Sequence, residues 1–222
     1  MDFAKIAEKY IQKDDKILDT PNLTKPKSRE YILTDTQINT ILSNIKDPKE
    51  VILVYGMLYT GMRVSEFLHL TRSWINFNDE LISIPKEMKC SCTECSRLRG
   101  GVWKIKTKDG VRDIYIVDEI KGLLKSYFSK YTSVLELIPN RIIAWKIITG
   151  VGKRNGIKLF PHSLRSSFAT ILASKGFSEY GICGVMGWSD IMRAKFYVKI
   201  AGKRVKDEFK KKWKERGEDK DV

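Results

Sequence analysis

The 222-residue chain is long enough for one substantial hydrophobic core, but two full domains would be tight. Its 41 Lys and Arg against 27 Asp and Glu give a formal net charge of +14, which is typical of nucleic-acid-binding proteins, with a merely soluble basic protein as the alternative. No segment approaches the ~18 consecutive apolar residues that cross a bilayer, and the N-terminus lacks a signal peptide's basic and apolar regions, so we expect a cytoplasmic protein without a membrane partner.

The chain divides into three predicted parts. Apolar residues at helical spacing over 2–17 predict a short amphipathic helix, and the two prolines and several charges that follow predict a linker. These form the first part, 1–29, ahead of one domain over 30–200 and a basic tail helix over 201–222. In the tail Val205, Phe209 and Trp213 form a thin apolar stripe, which predicts docking either onto this domain or onto a neighbouring protomer.

The domain begins with strong helix signals. Thr34 and Gln37 form a capping box ahead of one helix, and Asp47 precedes Pro48 at the start of the next. That second helix is apolar nearly all round, which predicts a central position in the core, and it ends at Gly61.

Arg63 follows this buried helix end, and Glu66 lies one turn further along. Packing at the helix end could hold the Arg63 guanidinium rigidly for a functional contact. An ordinary exposed ion pair between the two side chains is the alternative.

Residues 80–117 change to the two-residue period of strands. We predict a small antiparallel sheet from strands near 80–85, 102–107 and 112–117, with a hairpin turn at 108–110. Lys104, Lys106 and Lys108 lie on this hairpin, where each could contact a phosphate or simply be solvated.

Three cysteines, Cys90, Cys92 and Cys95, lie in the loop between the first two predicted strands. A structural zinc site usually has four ligands, and this segment offers three with no neighbouring histidine. We therefore expect free thiols or a single disulfide here, with zinc binding as the alternative.

Two scaffold helices are predicted next. Asp118 is expected to cap a helix through Tyr131, and Asn140 to begin another through Ile148. A basic turn at residues 153–156 follows, in which Lys153 and Arg154 are candidates for phosphate contact or for a solvated loop.

The last part of the domain carries the most informative residues. A helix that starts at Pro161 presents His162 and Arg165 on one face and an apolar stripe elsewhere. Trp188 follows Gly187, and Tyr197 comes nine residues after Trp188. An ordinary core aromatic is the alternative reading of Trp188.

Four motifs in this order resemble the tyrosine recombinase (phage integrase) family. They are T-G-x-R-x-x-E at residues 60–66, H-x-x-R at 162–165, G-[H/W] at 187–188 and the tyrosine at 197. The resemblance covers roughly residues 30–200, and the joint pattern is far more specific than any one motif. It implies a mainly helical α+β catalytic domain with a small three-stranded antiparallel sheet.

The resemblance also implies an activity, the cleavage and rejoining of DNA strands through a 3′-phosphotyrosine. Site-specific recombination or integration, including that of a viral genome, is the leading function; a type IB topoisomerase and a non-catalytic DNA-binding relative are the alternatives.

The expected partners are double-stranded DNA and further copies of the chain, as a tetramer on DNA. No nucleotide or metal cofactor is required. Family members usually carry a separate N-terminal DNA-binding domain, so this chain is either a fragment or a minimal version.

The residue types suit this chemistry. Attack on a phosphodiester gathers negative charge on phosphate oxygens, which guanidinium forks and an indole N–H can bind, while imidazole and ammonium groups move protons. On the hairpin Lys106, six residues before Arg112, fits the family's catalytic lysine best, and Lys108 is the fallback. The implied catalytic set is Arg63, Lys106, His162, Arg165, Trp188 and Tyr197. Glu66 is expected to hold the arginines, and DNA contacts are expected from Lys104, Lys108, Lys153 and Arg154.

Overall fold

The computed structural model describes residues 31–218, with side chains described to residue 207. The helix and linker expected within 1–29, and the side chains of Phe209 and Trp213 in the tail stripe, lie outside that description. Within residues 31–218, no helix combines the length and apolar character needed to span a membrane.

The described residues form a mainly helical fold with short strands. The helices are α1 (Asp35–Asn44), α2 (Pro48–Thr60), α3 (Val64–Leu68), α4 (Thr93–Leu98), α5 (Asp118–Phe128), α6 (Arg141–Arg154), α7 (Pro161–Ser174), α8 (Glu179–Met186) and α9 (Ile191–Glu218). The strands are β1 (Ile75–Asn76), β2 (Leu81–Ile84), β3 (Glu87–Lys89), β4 (Val102–Lys104) and β5 (Arg112–Tyr115). This confirms the predicted fold class.

Local signals predicted the helix starts well. Thr34 accepts from the Gln37 N–H and its own N–H donates to the Gln37 side chain, so the capping box of α1 is confirmed. Asp47 caps α2, and Gly61 ends it with φ 59°. A side chain at Gly61 would also collide with Phe168 of α7, because an added Cβ would lie 2.4 Å from that ring.

The sheet differs from the prediction. The three-stranded antiparallel sheet has the order β1-β2-β5, whereas β4 pairs with β3 in a separate two-stranded ribbon. The expectation that residues 102–107 join the same sheet as 80–85 and 112–117, through a hairpin at 108–110, was therefore wrong, because β4 and β5 do not pair with each other. The β3–β4 ribbon, with α4 inserted in it, stands beside the sheet and carries the three cysteines.

Two helix boundaries also differ. Helix α5 ends at Phe128 rather than Tyr131, and its cap is Val117 without a side-chain hydrogen bond, so Asp118 lies in the first turn instead of capping it. Helix α6 begins after its predicted cap Asn140 but runs on to Arg154. The predicted basic turn at residues 153–156 is therefore wrong at Lys153 and Arg154, which form the last turn of α6.

Two apolar clusters hold the fold together. The larger one surrounds α2, which packs against α5, α6 and α7 as its all-round apolar sequence predicts. The smaller one joins α7, α8 and α9, and includes Phe168, Met186 and Tyr197. Because α9 runs without interruption from Ile191, Tyr197 and the start of the basic tail lie on the same helix.

Candidate active site

Three arginines from separate parts of the chain meet at the C-terminal end of α8. Arg112 Nε donates to Val185 O at 2.7 Å, Arg63 Nη2 donates to Gly187 O at 3.1 Å, and Arg165 Nη2 donates to Met186 O. The carbonyls at a helix C-terminus carry partial negative charge and have no partner within the helix, so they suit positive donors. The helix end therefore fixes the positions of all three guanidinium groups.

Glu66 lies among these arginines. Its carboxylate contacts Arg63 Nη1 at 2.6 Å and Arg112 Nη2 at 3.0 Å, and accepts the Arg63 backbone N–H at 2.9 Å. Burial alone would raise the pKa of Glu66, but the charges of Arg112, Arg165 and Arg63 lower it below its ordinary value. Glu66 is therefore ionised at neutral pH and offsets part of the buried positive charge.

We expect Glu66→Gln to lower the free energy of unfolding by about 3–5 kcal/mol, because it leaves a buried arginine cluster without its counter-ion. Denaturation in urea measures the change. The matched control is Glu50→Gln, since Glu50 pairs at 2.8 Å with Arg154, whose side chain is 54% exposed. That change should lower stability by no more than about 1 kcal/mol. Equal losses in the two variants would contradict a central role for Glu66.

Arg165 is the most buried of the three, with 3% of its surface exposed. Its Nη1 donates to Gly61 O at the end of α2, so the guanidinium bridges the ends of α2 and α8. Burial, followed by the nearby charge of Arg63, lowers the pKa of Arg165, but an arginine remains protonated at neutral pH. A guanidinium has more N–H donors than these two contacts use, so it can also bind an anion.

His162 lies one turn before Arg165 on α7, as predicted, but its side chain is exposed while Arg165 is buried. Partial desolvation, then the charges of Arg165, Arg193 and Arg63, lower the pKa of His162. The imidazole is therefore neutral at pH 7 and able to accept a proton.

Trp188 and Tyr197 stack on one another with ring centroids 5.4 Å apart, and the Arg165 Cζ lies 5.6 Å from the Trp188 ring centroid. The Tyr197 hydroxyl is 3.2 Å from Ser166 Oγ, and the residue is 3% exposed. The tyrosine thus lies beside Arg165 of its own chain, and it is almost wholly buried.

The turn at Lys108–Gly110, which connects β4 to β5, packs against the same helix end. Arg112 Nη1 donates to Gly110 O at 2.8 Å, and a Cβ added at Gly187 would lie 2.7 Å from Asp109 O. Gly187 has φ 61°, so this position requires glycine for both its conformation and its close contact with the turn.

Lys104, Lys106 and Lys108 are exposed and, together with Lys86, line one groove beside this turn. Lys104 pairs with Glu87 at 3.1 Å, whereas Lys106 has no carboxylate partner among residues 31–207. Among the other DNA-contact candidates, Lys153 is exposed, and Arg154 pairs with Glu50.

Sequence reasoning missed several residues of this region. The sequence indicates no site role for Arg112, yet its side chain is only 5% exposed and bridges Glu66 to α8. Ser166 and Arg193 had no sequence signal beyond lying one turn from an identified residue.

The cysteine segment has no histidine near it in the sequence, but in the fold His69 Nε2 lies 3.4 Å from Cys95 Sγ. The expectation of a cluster without a histidine was therefore wrong, and none of the four cysteines forms a disulfide.

Known proteins share the sequence pattern and the fold of this chain. Residues 31–204 match the model of the phage integrase family. The chain is 26% identical over 201 residues to the tyrosine recombinase XerA of Pyrococcus furiosus, covering 82% of this chain and 62% of that protein. It is 30% identical over 191 residues to XerA of Thermococcus onnurineus, covering 79% and 60% respectively. The chain therefore spans less than two thirds of these relatives.

Solved structures share the fold. The Tn1549 transposon integrase, in complex with transposon right end DNA, superposes with a TM-score of 0.63 at 22% identity, over 80% of this chain and 63% of that one. A crystal structure of XerA recombinase gives a TM-score of 0.62 at 18% identity, over 86% and 66%.

Proposed function

The chain belongs to the phage integrase family, and on that premise we propose that it is a site-specific DNA recombinase that cleaves and rejoins strands through a 3′-phosphotyrosine. One observation carries the proposal: the two motif arginines, Trp188 and Tyr197 converge within one chain at the C-terminal end of α8. A tyrosine beside preorganised guanidinium groups suits nucleophilic attack on a phosphodiester.

Arg63, Arg165 and Trp188 are proposed to bind the non-bridging oxygens of the scissile phosphate. The arginines are fixed by Gly187 O, Gly61 O and Met186 O before DNA arrives, so little reorganisation is needed as negative charge develops. Planar guanidinium groups also match two phosphate oxygens better than ammonium groups do.

The proton transfers are assigned to His162 and Lys106. As the Tyr197 oxygen bonds to phosphorus, its proton passes to neutral His162; as the bond from phosphorus to the 5′ oxygen breaks, Lys106 protonates the departing oxygen. Lys106 is preferred to Lys104 because Lys104 already pairs with Glu87. Attack by another strand's 5′ hydroxyl then reverses the steps and rejoins DNA.

Because Tyr197 is buried, the proposed mechanism requires a conformational change before the hydroxyl attacks. The ring packs between Trp188 and Phe196, so the start of α9 must move relative to α7 before the hydroxyl reaches a phosphate. DNA binding is proposed to trigger this movement, which would prevent attack in its absence.

Double-stranded DNA and other copies of the chain are the proposed partners. The net charge of +14 and the groove lined by Lys86, Lys104, Lys106 and Lys108 support backbone binding. Exchange between two duplexes breaks four strands. Since each protomer offers one such tyrosine, a tetramer supplies the four tyrosines that these breaks need.

A covalent trapping assay tests the function. A duplex nicked beside the cleavage site releases a short fragment with a 5′ hydroxyl, so the protein–DNA adduct accumulates and resists denaturant. A type IB topoisomerase would instead relax supercoiled plasmid as isolated monomers without paired sites. A non-catalytic relative would bind the duplex without forming an adduct, which would overturn the proposal.

The rate of adduct formation should depend on pH through His162. At subsaturating DNA we expect the rate constant to rise with pH along a titration centred below about 6.5, because the lowered pKa keeps the imidazole neutral above that range. His162→Asn should remove this acid limb and slow trapping by about 100- to 10,000-fold.

DNA affinity measured at each pH is the control for this profile. It separates proton transfer from an electrostatic change in binding. An acid limb that persists in the His162→Asn variant at constant affinity would remove His162 from the mechanism.

A further inference from the structure

Four side chains with metal-binding atoms converge where α3 ends: His69, Cys90, Cys92 and Cys95. Their ligand atoms all lie within 4.8 Å of one another. His69 Nε2 is 3.6 Å from Cys92 Sγ and 3.4 Å from Cys95 Sγ. In a tetrahedral zinc site, bonds of about 2.3 Å to sulfur and about 2.05 Å to nitrogen separate N from S by about 3.6 Å and two sulfurs by about 3.8 Å. The cluster therefore already has nearly the dimensions of such a site.

The surroundings of the cluster orient its ligand atoms. His69 Nδ1 hydrogen-bonds to Ser65 O at 2.7 Å, so this nitrogen carries the proton and Nε2 presents its lone pair to the cysteines. The Cys92 N–H donates to Cys90 Sγ and the Cys95 N–H donates to Cys92 Sγ, both at 3.4 Å. Backbone N–H donors stabilise thiolates, which are the form that binds metal.

We propose that His69, Cys90, Cys92 and Cys95 bind one Zn²⁺ as a structural site. Three thiolates and one imidazole in tetrahedral arrangement select zinc over the oxygen-preferring cations. All four positions belong to the protein, so the site has no open position for a substrate. A neutral network of S–H groups bonded to His69 is the competing explanation for the short distances.

The proposed ion would join two elements that the chain otherwise connects through a long loop. His69 ends α3, whose cap is Arg63, and the cysteines lie in the β3–β4 ribbon, which leads directly to Lys106. The ribbon has little apolar core of its own beyond Cys95 and Trp103. Zinc would therefore hold the ribbon against α3, a role that does not depend on the proposed recombinase function.

Metal content of the purified chain is the first test. Plasma mass spectrometry should find one zinc per chain, and Cys92→Ser should weaken binding at least about 100-fold. Cys183→Ser is the matched control, because Cys183 lies on α8 outside the cluster and should change nothing. His69→Cys should retain the metal, since four thiolates also form a tetrahedral zinc site.

A second measurement needs no variant. The wild-type chain, stripped by a chelator under reducing conditions, should bind one Co²⁺ with the thiolate charge-transfer and strong visible absorption of tetrahedral cobalt, and Zn²⁺ should displace it. Zinc should also protect Cys90 and Cys92 from alkylation while Cys183 stays reactive. A stripped chain that binds neither ion, or equal zinc loss in the Cys183→Ser and Cys92→Ser variants, would overturn the proposal.

Discussion

Tyr197→Phe should abolish the covalent protein–DNA adduct, lowering its rate of formation on the order of 10⁴- to 10⁶-fold, because no other group replaces a missing nucleophile. The phenyl ring can keep its stack on Trp188 and its packing against α7, so the change removes the hydroxyl and its contact with Ser166. Denaturing gel electrophoresis of labelled nicked duplex measures the adduct. Binding to intact duplex should stay within a few fold of wild type.

Tyr180→Phe is the matched control for this result. Tyr180 is 79% exposed on α8, so losing its hydroxyl should leave trapping unchanged. Equal trapping by the Tyr197→Phe variant would refute Tyr197 as nucleophile. A wild-type chain that forms no adduct on a cognate nicked site would instead favour the non-catalytic relative.

Elements governed by local rules could be predicted from the sequence. The capping box at Thr34, the left-handed glycine at residue 61 and the proline that starts α7 each depend on neighbours within one turn. The motif spacing then placed Arg165 and Tyr197 in one region, and the structure brings them together at the end of α8.

Features that depend on distant partners could not be predicted in the same way. The β4 strand pairs with β3 rather than with the sheet, and a strand of three residues carries too little pattern to fix its partner. His69 lies 21 residues before Cys90, so no cysteine spacing rule includes it. The position of the buried Arg112 depends on one carbonyl of α8, that of Val185, which lies 73 residues further along the chain.

Arg165→Ala should slow cleavage by about 100- to 1,000-fold, the usual effect of losing one preorganised donor to a developing oxyanion. Single-turnover trapping at saturating DNA measures this change separately from binding. Arg165→Lys should fall between Ala and wild type, because it keeps a positive charge but cannot reach both Gly61 O and Met186 O with a planar fork.

Because the Ala variant also leaves two buried carbonyls without their donor, each at about 1–3 kcal/mol, thermal unfolding must first show that it is folded at the assay temperature. Arg99→Ala is the control, since its side chain is 40% exposed and pairs with Glu94 at 3.6 Å, outside the arginine cluster. If a folded Arg165→Ala variant cleaves within tenfold of wild type, the guanidinium does not bind the reacting phosphate, and its charge at the junction of α2 and α8 would be structural. A loss of 100-fold or more at unchanged affinity would place its contribution in the transition state, where a donor fixed by two helix ends is expected to act.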